Sequence, residues 1–272
     1  MAIIATPLPQ RLRSTDRIEL NRNSWQAAGL LSWFPIARYR DGRNLGLYKL
    51  PRSATPDTTV GGVVSHGHRR GVQFPGSGTD SHYYFLDGAG GYYGPIRNTY
   101  EFSLFMWINA AAIGTYITAF SQGTGWIQLV VQASGVLGCS VNGLAYFNSS
   151  ATLSANTWYH VGFTSVGQAQ KLYINGTQDG SASQTPAVGA SAAHINHGRI
   201  GAHNAGSNAW NGLIDDVRIY QRTLSANEVA AIYYQTRDGG YGDLAIQPTR
   251  FHHLPVAAAV VSKPRMTLLG VG

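Results

Sequence analysis

From Gly71 onward, apolar and polar positions alternate in short runs interrupted by glycine, asparagine, serine and proline, the pattern of strands joined by turns. The runs are Gly71 to Phe74, His82 to Leu86, Glu101 to Ile108, Tyr116 to Phe120, Trp126 to Gln132, and Leu137 to Val141 continued by Ala145 to Phe147. An earlier apolar run, Ala28 to Phe34, closes on Pro35 and predicts a first strand. In Glu101 to Ile108, Phe102, Leu104 and Met106 share one parity while Phe105, Trp107 and Ile108 crowd the other, which predicts a central strand covered on both faces.

The strongest local signal is a hairpin built from Trp158 to Thr164 and Lys171 to Thr177. It ends in Asn175-Gly176, a pair that accepts positive φ at both turn positions and so predicts a two-residue type I′ reversal. A further strand runs from Gly212 to Tyr220, where Asp215 shares parity with Leu213, Val217 and Ile219. One helix follows. Ser225 is its N-cap, Glu228 three residues on completes a capping box, and Leu224 and Val229 form the flanking hydrophobic staple. Short strands without helices between them predict an all-β sandwich of antiparallel sheets. The expected organisation is an extended arm over residues 1–24, a sandwich over 25–236 with a long loop insertion at 37–70, and an extended, proline-punctuated tail over 237–272.

Composition narrows the class. Only 12% of residues are charged and 44% are hydrophobic, which excludes a disordered or coiled-coil chain. Cys139 is alone, so no intramolecular disulfide and no multi-cysteine metal site is expected. The first twenty residues hold no apolar run long enough for a signal-peptide core or a membrane span, so synthesis in a cytoplasm and no membrane contact are expected. The net charge of +7 is uneven: residues 1–70 hold eleven Lys or Arg against four acids, 71–236 five against seven, and 237–272 four against two. Seventeen of the twenty cations are Arg, the side chain suited to planar contacts at interfaces, and they form no basic run of the nucleic-acid-binding kind.

Asn156 to Thr164, Lys171 to Gly176, and Gly212 to Tyr220 with the Leu224-Ser225 helix start together resemble the laminin-G-like, pentraxin-related branch of concanavalin A-like jelly rolls. Gly29 to Pro35 and Tyr100 to Ile108 look like that family's first and early core strands, extending the resemblance over residues 29–236. It implies an all-β, concanavalin A-like (LamG-like) jelly-roll sandwich with one short C-terminal helix and extended arms. The chain departs from the family's Phe-Asp-Gly at Phe74-Pro75-Gly76.

Relatives of such a fold include glycosidases with two carboxylates about 5 Å apart. This chain has three Glu, with Glu19 in the arm, Glu228 committed to the cap and Glu101 at a strand start, so no acid pair for hydrolysis is expected. Asp215 and Asp216 are the best paired acids. By the resemblance an acid on this strand is a candidate for a structural calcium, and Asp215, by its parity, for a buried acid paired with an Arg such as Arg199 or Arg218. His66-Gly67-His68, His194-Ile195-Asn196-His197 and His252-His253 have ligand-like spacing without a fixing frame, so no metal or other cofactor is expected. Trp126 and Trp210 sit near loops and are the candidate ligand-binding residues, as rings that stack on a sugar, with core or interface anchors as the alternative.

The expectation is a non-enzymatic virion structural protein of the capsid decoration or head-fibre type, from a bacteriophage. It is homo-oligomeric and attached through its arms to other virion or capsid proteins. The alternative is a carbohydrate-binding, lectin-like module that adheres to a cell-surface glycan.

Overall fold

Two antiparallel sheets bring the apolar parities of the sequence face to face. The computed structural model describes residues 18–37, 45–46, 62–76, 83–85, 96, 101–123, 127–141, 145–183, 198–203 and 208–246. In chain order the strands are β1 Glu19–Leu20, β2 Leu30–Phe34, β3 Val63–His66, β4 Arg69–Pro75, β5 Tyr83–Phe85, β6 Phe102–Ala110, β7 Ile117–Gln122, β8 Ile127–Val131, β9 Val136–Val141, β10 Phe147–Thr152, β11 Tyr159–Val166, β12 Ala169–Ile174, β13 Thr177–Ser183, β14 Gly198–Ile200, β15 Asn211–Tyr220 and β16 Ala245–Ile246. Helix α1, Ala226–Thr236, lies between the last two. The larger sheet has the order β13-β12-β11-β6-β15-β4-β3, with β2 also paired to β15; the smaller has the order β10-β9-β8-β7-β14-β5.

Between the sheets, Phe102, Leu104, Met106 and Ile108 of β6, Val161 and Phe163 of β11, and Ile214, Val217 and Ile219 of β15 form one buried cluster with Phe120, Leu129, Val131, Leu137 and Cys139 of the smaller sheet. Phe163 bridges the layers, meeting Phe102 edge-on at 5.5 Å and Phe147 at 6.2 Å. The edge strands β10 and β13 close one side, where the Asp179 carboxylate accepts the Ala151 N–H at 2.9 Å. As expected, β6 is covered on both faces, although Ile108 belongs to the inner parity with Phe102.

Asn175 (φ 51°) and Gly176 (φ 81°) form the two-residue reversal between β12 and β13, as their sequence predicts. The strand β13 that follows was not legible, because Thr177 to Ser183 is polar at almost every position. Helix α1 starts where the cap signals put it: Ser225 Oγ accepts the Glu228 N–H at 3.3 Å and Glu228 accepts the Ser225 N–H at 2.8 Å.

Three boundaries differ from expectation. Within 37–70, where one strand was expected at Leu45 to Leu50, residues 47–50 lie outside the described residues, and Val63 to Arg70 holds β3, a turn at Gly67-His68 and the start of β4. The inner ends of both expected arms belong to the body, because β1 pairs with β16 through Glu19 opposite Ile246 and Leu20 opposite Ala245. The physical reason is an exposed apolar face. The larger sheet presents Trp33, Phe105, Tyr173 and Tyr220 on its outer side, and α1 alone does not cover them; Ile18, Ala27, Tyr241 and Leu244 complete the cover. The outer parts of both arms lie outside the described residues. Among the described residues no helix is long and apolar enough to cross a membrane.

The cap anchors this third layer, so Ser225→Ala is expected to lower stability by about 0.5–2 kcal/mol. Chemical denaturation of the two proteins checks it, and an unchanged midpoint would place the helix start elsewhere.

Candidate functional site

Asp215 and Asp216 are both buried on the outer face of the larger sheet, although adjacent residues of a strand normally point to opposite sides. A bulge makes this possible. Asp216 takes φ 52°, and the register of β15 against β6 slips between Asp215 opposite Trp107 and Arg218 opposite Phe105. Parity is therefore not continuous along the strand. Ile214, Val217 and Ile219 face the inter-sheet core, whereas Asp215, Asp216, Arg218 and Tyr220 face outward.

The outward acids are neutralised in place. Asp215 is bonded to Arg69 at 2.9 Å and accepts the Ala37 N–H at 3.0 Å. Asp216 takes Arg218 through both oxygens, at 2.9 and 2.8 Å, and accepts the Trp33 indole N–H at 2.9 Å. The guanidinium groups reach further: Arg69 donates to the Thr236 carbonyl at 2.8 Å, and Arg218 to Gln26 at 2.7 Å and to the Tyr241 carbonyl at 2.9 Å. Asp215 is thus a buried acid paired with an arginine, but the partner is Arg69, which parity along one strand could not identify. Arg218 pairs instead with Asp216. The carboxylates anchor the outer layer through these bonds. Burial pushes the Asp215 carboxyl up to about 6, against the pull of Arg69.

His160 completes this face. Its ring stacks on Phe105 at 5.5 Å, lies 5.3 Å from Trp107 and 6.3 Å from Tyr233, and its Nδ1 has no hydrogen-bond partner. Burial first, then the positive charge of Arg218, holds its pKa down to about 3, so the imidazole is neutral.

Trp210 is fully buried in the inter-sheet cluster, which corrects its reading as a sugar-stacking ring; it is the core anchor of the alternative. Trp126 lies outside the described residues, as do His194, His197, His252 and His253. His66 and His68 flank the β3–β4 turn, where His66 contacts Asn109 at 3.2 Å. Among the described residues no three acids, histidines or cysteines come together to hold a metal.

The outer side of the smaller sheet has a different character. The alternation in Ile127 to Gln132 sends Leu129 and Val131 inward and Gln128, Val130 and Gln132 outward. Strand pairing then sets Ser140, Gln128, Ser121 and Arg199 directly opposite one another across four strands. At one end of this polar row, Tyr116 and Tyr146 meet edge-on with centroids 5.7 Å apart, and both hydroxyls donate to Gln128 Oε1. Burial raises both phenol pKa values, so these hydroxyls stay protonated. Gly138 lies beside them. A Cβ there would come within 2.9 Å of Gln132 Nε2 and 3.1 Å of Asn148 Oδ1, so its absence lets those amides bond over the buried glycine at 2.6 Å. The two half-buried phenol rings and the Gln132–Asn148 amide pair offer a ring face and hydrogen-bonding groups. Sequence reasoning overlooked Tyr116, Gln128 and Tyr146. The signal available was the Gln128, Gln132 and Gly138 spacing on one parity.

A family model described as the concanavalin A-like lectin/glucanases superfamily matches residues 77–230. No curated protein matches the chain. Among solved structures, it is similar to domain 4 of AbnA, a GH43 extracellular arabinanase from Geobacillus stearothermophilus in complex with arabinotriose, at 17% identity and TM-score 0.54, covering 74% of this chain and 96% of that one. The binding domain of Paraclostridial Mosquitocidal Protein 1 is similar at 16% identity and TM-score 0.58, with 76% of this chain and 52% of that one covered. Trypanosoma rangeli sialidase aligns at 16% identity and TM-score 0.57, over 78% of this chain but only 34% of the sialidase. Likeness at these identities concerns the fold.

The neutral imidazole has a measurable consequence. On unfolding, His160 regains its ordinary value of 6.5, so between about pH 6.5 and 3 the unfolded chain takes up a proton that the folded one refuses, and stability falls as pH falls. Asp215 acts the opposite way between 3.8 and about 6, where the folded form keeps a proton that the unfolded form releases. His160→Phe should remove the first effect alone. The unfolding free energy of the variant relative to the parent is expected to improve by about 1.4 kcal/mol for each unit from pH 6.5 down to 4.5. Urea denaturation across that range is the measurement; a difference independent of pH would rule the imidazole out.

Proposed function

The chain belongs to the concanavalin A-like lectin/glucanases superfamily, and within it we propose that it acts as a non-catalytic saccharide-binding module. The observation that carries this reading is the Tyr116–Tyr146 pair, half-buried and held by Gln128 Oε1. Side chains there are held before any ligand arrives, which limits the ordering cost of binding. The non-catalytic part is supported by where the acids are spent. Asp215 and Asp216 are bound to guanidinium groups, Glu228 to the helix cap and Arg222, Glu101 to the Thr223 N–H, and Asp179 to the Ala151 N–H. Glycoside hydrolysis needs two carboxyls facing each other across a substrate, and none of these is placed for that. The arabinanase domain in complex with arabinotriose supports the choice of ligand class.

A second reading, a virion structural role of the capsid decoration or head-fibre kind, is favoured by the β1–β16 pairing. That pairing starts residues 1–17 and 247–272 from neighbouring positions, and together these segments hold six of the twenty cations against one of the thirteen acids. Two adjacent basic segments suit attachment to a neighbouring subunit.

Binding is expected when the chain is titrated with soluble oligosaccharides in a calorimeter, with Tyr146→Ala and Gln128→Ala each at least tenfold weaker and no reducing ends released on incubation. Full affinity in both variants would remove the tyrosine pair from the reading. For the second reading, sedimentation of the whole chain against residues 18–246 should show an oligomer reduced to a folded monomer; equal sedimentation would argue against attachment through the ends.

A further inference from the structure

From Phe102 to Tyr159 the chain holds no Asp, Glu, Lys, Arg or His, although 12% of its residues are charged overall. Burial accounts for only part of this run. It builds β6 to β10, whose inward positions are apolar, but its exposed positions are uncharged as well. Thr115, Ala133, Ser134, Asn148, Ser150 and Thr152 stand where Lys, Glu, Arg and Asp are ordinarily found. The outer surface formed by β7 to β10 is therefore made of small and amide side chains.

The tyrosine pair lies within this surface. Tyr146 immediately precedes β10 and Asn148 is its second residue, so alternation directs both side chains outward. Asn148 stands opposite Gly138, Gly138 opposite Val130, and Val130 opposite Thr118, so one row crosses all four strands. Gln132 reaches over Gly138 and donates from Nε2 to Asn148 Oδ1 at 2.6 Å. That bond leaves Gln132 Oε1 as an acceptor and Asn148 Nδ2 as a donor, each on the same amide as a bonded atom and hence close together. Gln132 is half-buried and Asn148 exposed.

The charge of a ligand is limited by what could answer it here. From outside the run, Asp179 of β13 reaches this edge, where its carboxylate accepts the Ala151 N–H at 2.9 Å. Arg199, at the far end of the row of Ser140, Gln128 and Ser121, is 3% exposed. An anionic sugar would give up hydration without meeting a cation from the run, and a cationic one without meeting an acid from it. An uncharged sugar needs only hydrogen bonds. Each hydroxyl both donates and accepts, so two neighbouring hydroxyls match the acceptor of Gln132 and the donor of Asn148. The run also supplies no carboxylate to hold a calcium ion between protein and sugar.

We infer that the tyrosine site selects uncharged saccharides, holding two neighbouring hydroxyls of one sugar on the Gln132–Asn148 amide pair with no metal ion between protein and ligand. The inference rests on the saccharide-binding reading and adds to it the class of glycan and the residues that choose it.

The test is calorimetric titration of the full-length chain, with and without EDTA. Cellotetraose, galactotetraose and arabinotetraose serve as neutral ligands, tetragalacturonate as the anionic one and a glucosamine tetramer as the cationic one. At least one neutral tetrasaccharide should bind equally well with EDTA present, and both charged ones at least tenfold more weakly. Asn148→Asp keeps the oxygen that accepts from Gln132 but loses the donor, and should weaken neutral binding about tenfold or more; Gln132→Ala should weaken it about three- to tenfold. Unfolding midpoints establish that both variants are folded. Full neutral affinity in either folded variant, loss of binding on adding EDTA, or a charged tetrasaccharide that binds as tightly as the best neutral one overturns the inference. If Tyr146→Ala still weakens binding in such a case, the saccharide reading survives without it. If none of the five ligands binds, the saccharide reading fails and the inference fails with it.

Discussion

Ionised carboxylates and guanidinium groups taken out of water must find their counter-charges and hydrogen-bond partners inside the fold, at a penalty of several kcal/mol per ion before pairing. Asp215, Asp216, Arg69 and Arg218 meet that requirement as a balanced group, with side chains at most 2% exposed. The partners that complete it come from distant parts of the chain: Gln26 ahead of β2, Trp33 on β2, Ala37 after it, Thr236 at the end of α1 and Tyr241 beyond the helix. Each covering element is thereby fixed in position as well as in contact. Removing one member would leave a buried unpaired charge, a loss on the order of 3–5 kcal/mol, whereas apolar packing alone would let α1 and the terminal segments slide over the sheet.

The arrangement explains why the molecule has three layers where a sandwich needs two. β6 and β15 run through the middle of the larger sheet and are covered on both faces. Their inner parity builds the inter-sheet core, and their outer parity builds an aromatic surface that includes Phe105, Trp107 and Tyr220. That surface cannot face water, so the chain on either side of the sandwich folds back over it. Where the cover is incomplete, between Tyr233, Trp158 and the β3–β4 and β12–β13 turns, a cleft remains. On the smaller sheet the outer parity carries the buried Gln128, Ser140, Ser121 and Arg199 together with Val130, and the half-buried Tyr116 and Tyr146 meet over Gln128.

Local signals determined a large part of this protein from sequence alone. Asn175-Gly176 fixed its own reversal because so few residue pairs accept positive φ twice in succession. Ser225 with Glu228 fixed a helix start because the bonds involved lie within four residues. Phe102, Leu104 and Met106 marked a core strand by alternation, and the ordered motifs around them carried the superfamily. The tertiary structure decided what depended on distance along the chain or on a break in periodicity. The bulge at Asp216 reverses the parity of β15, so counting alternate residues from Leu213 placed Val217 and Ile219 on the face that Asp215 occupies, when they lie on the other. Arg69 is separated from Asp215 by 146 residues, and no local pattern distinguishes it from the other arginines. Trp210 beside a loop and Trp158 at a strand start look alike in sequence; only the packing buries the first between the sheets and the second with Trp107 and Leu213 on the outer face of the larger sheet.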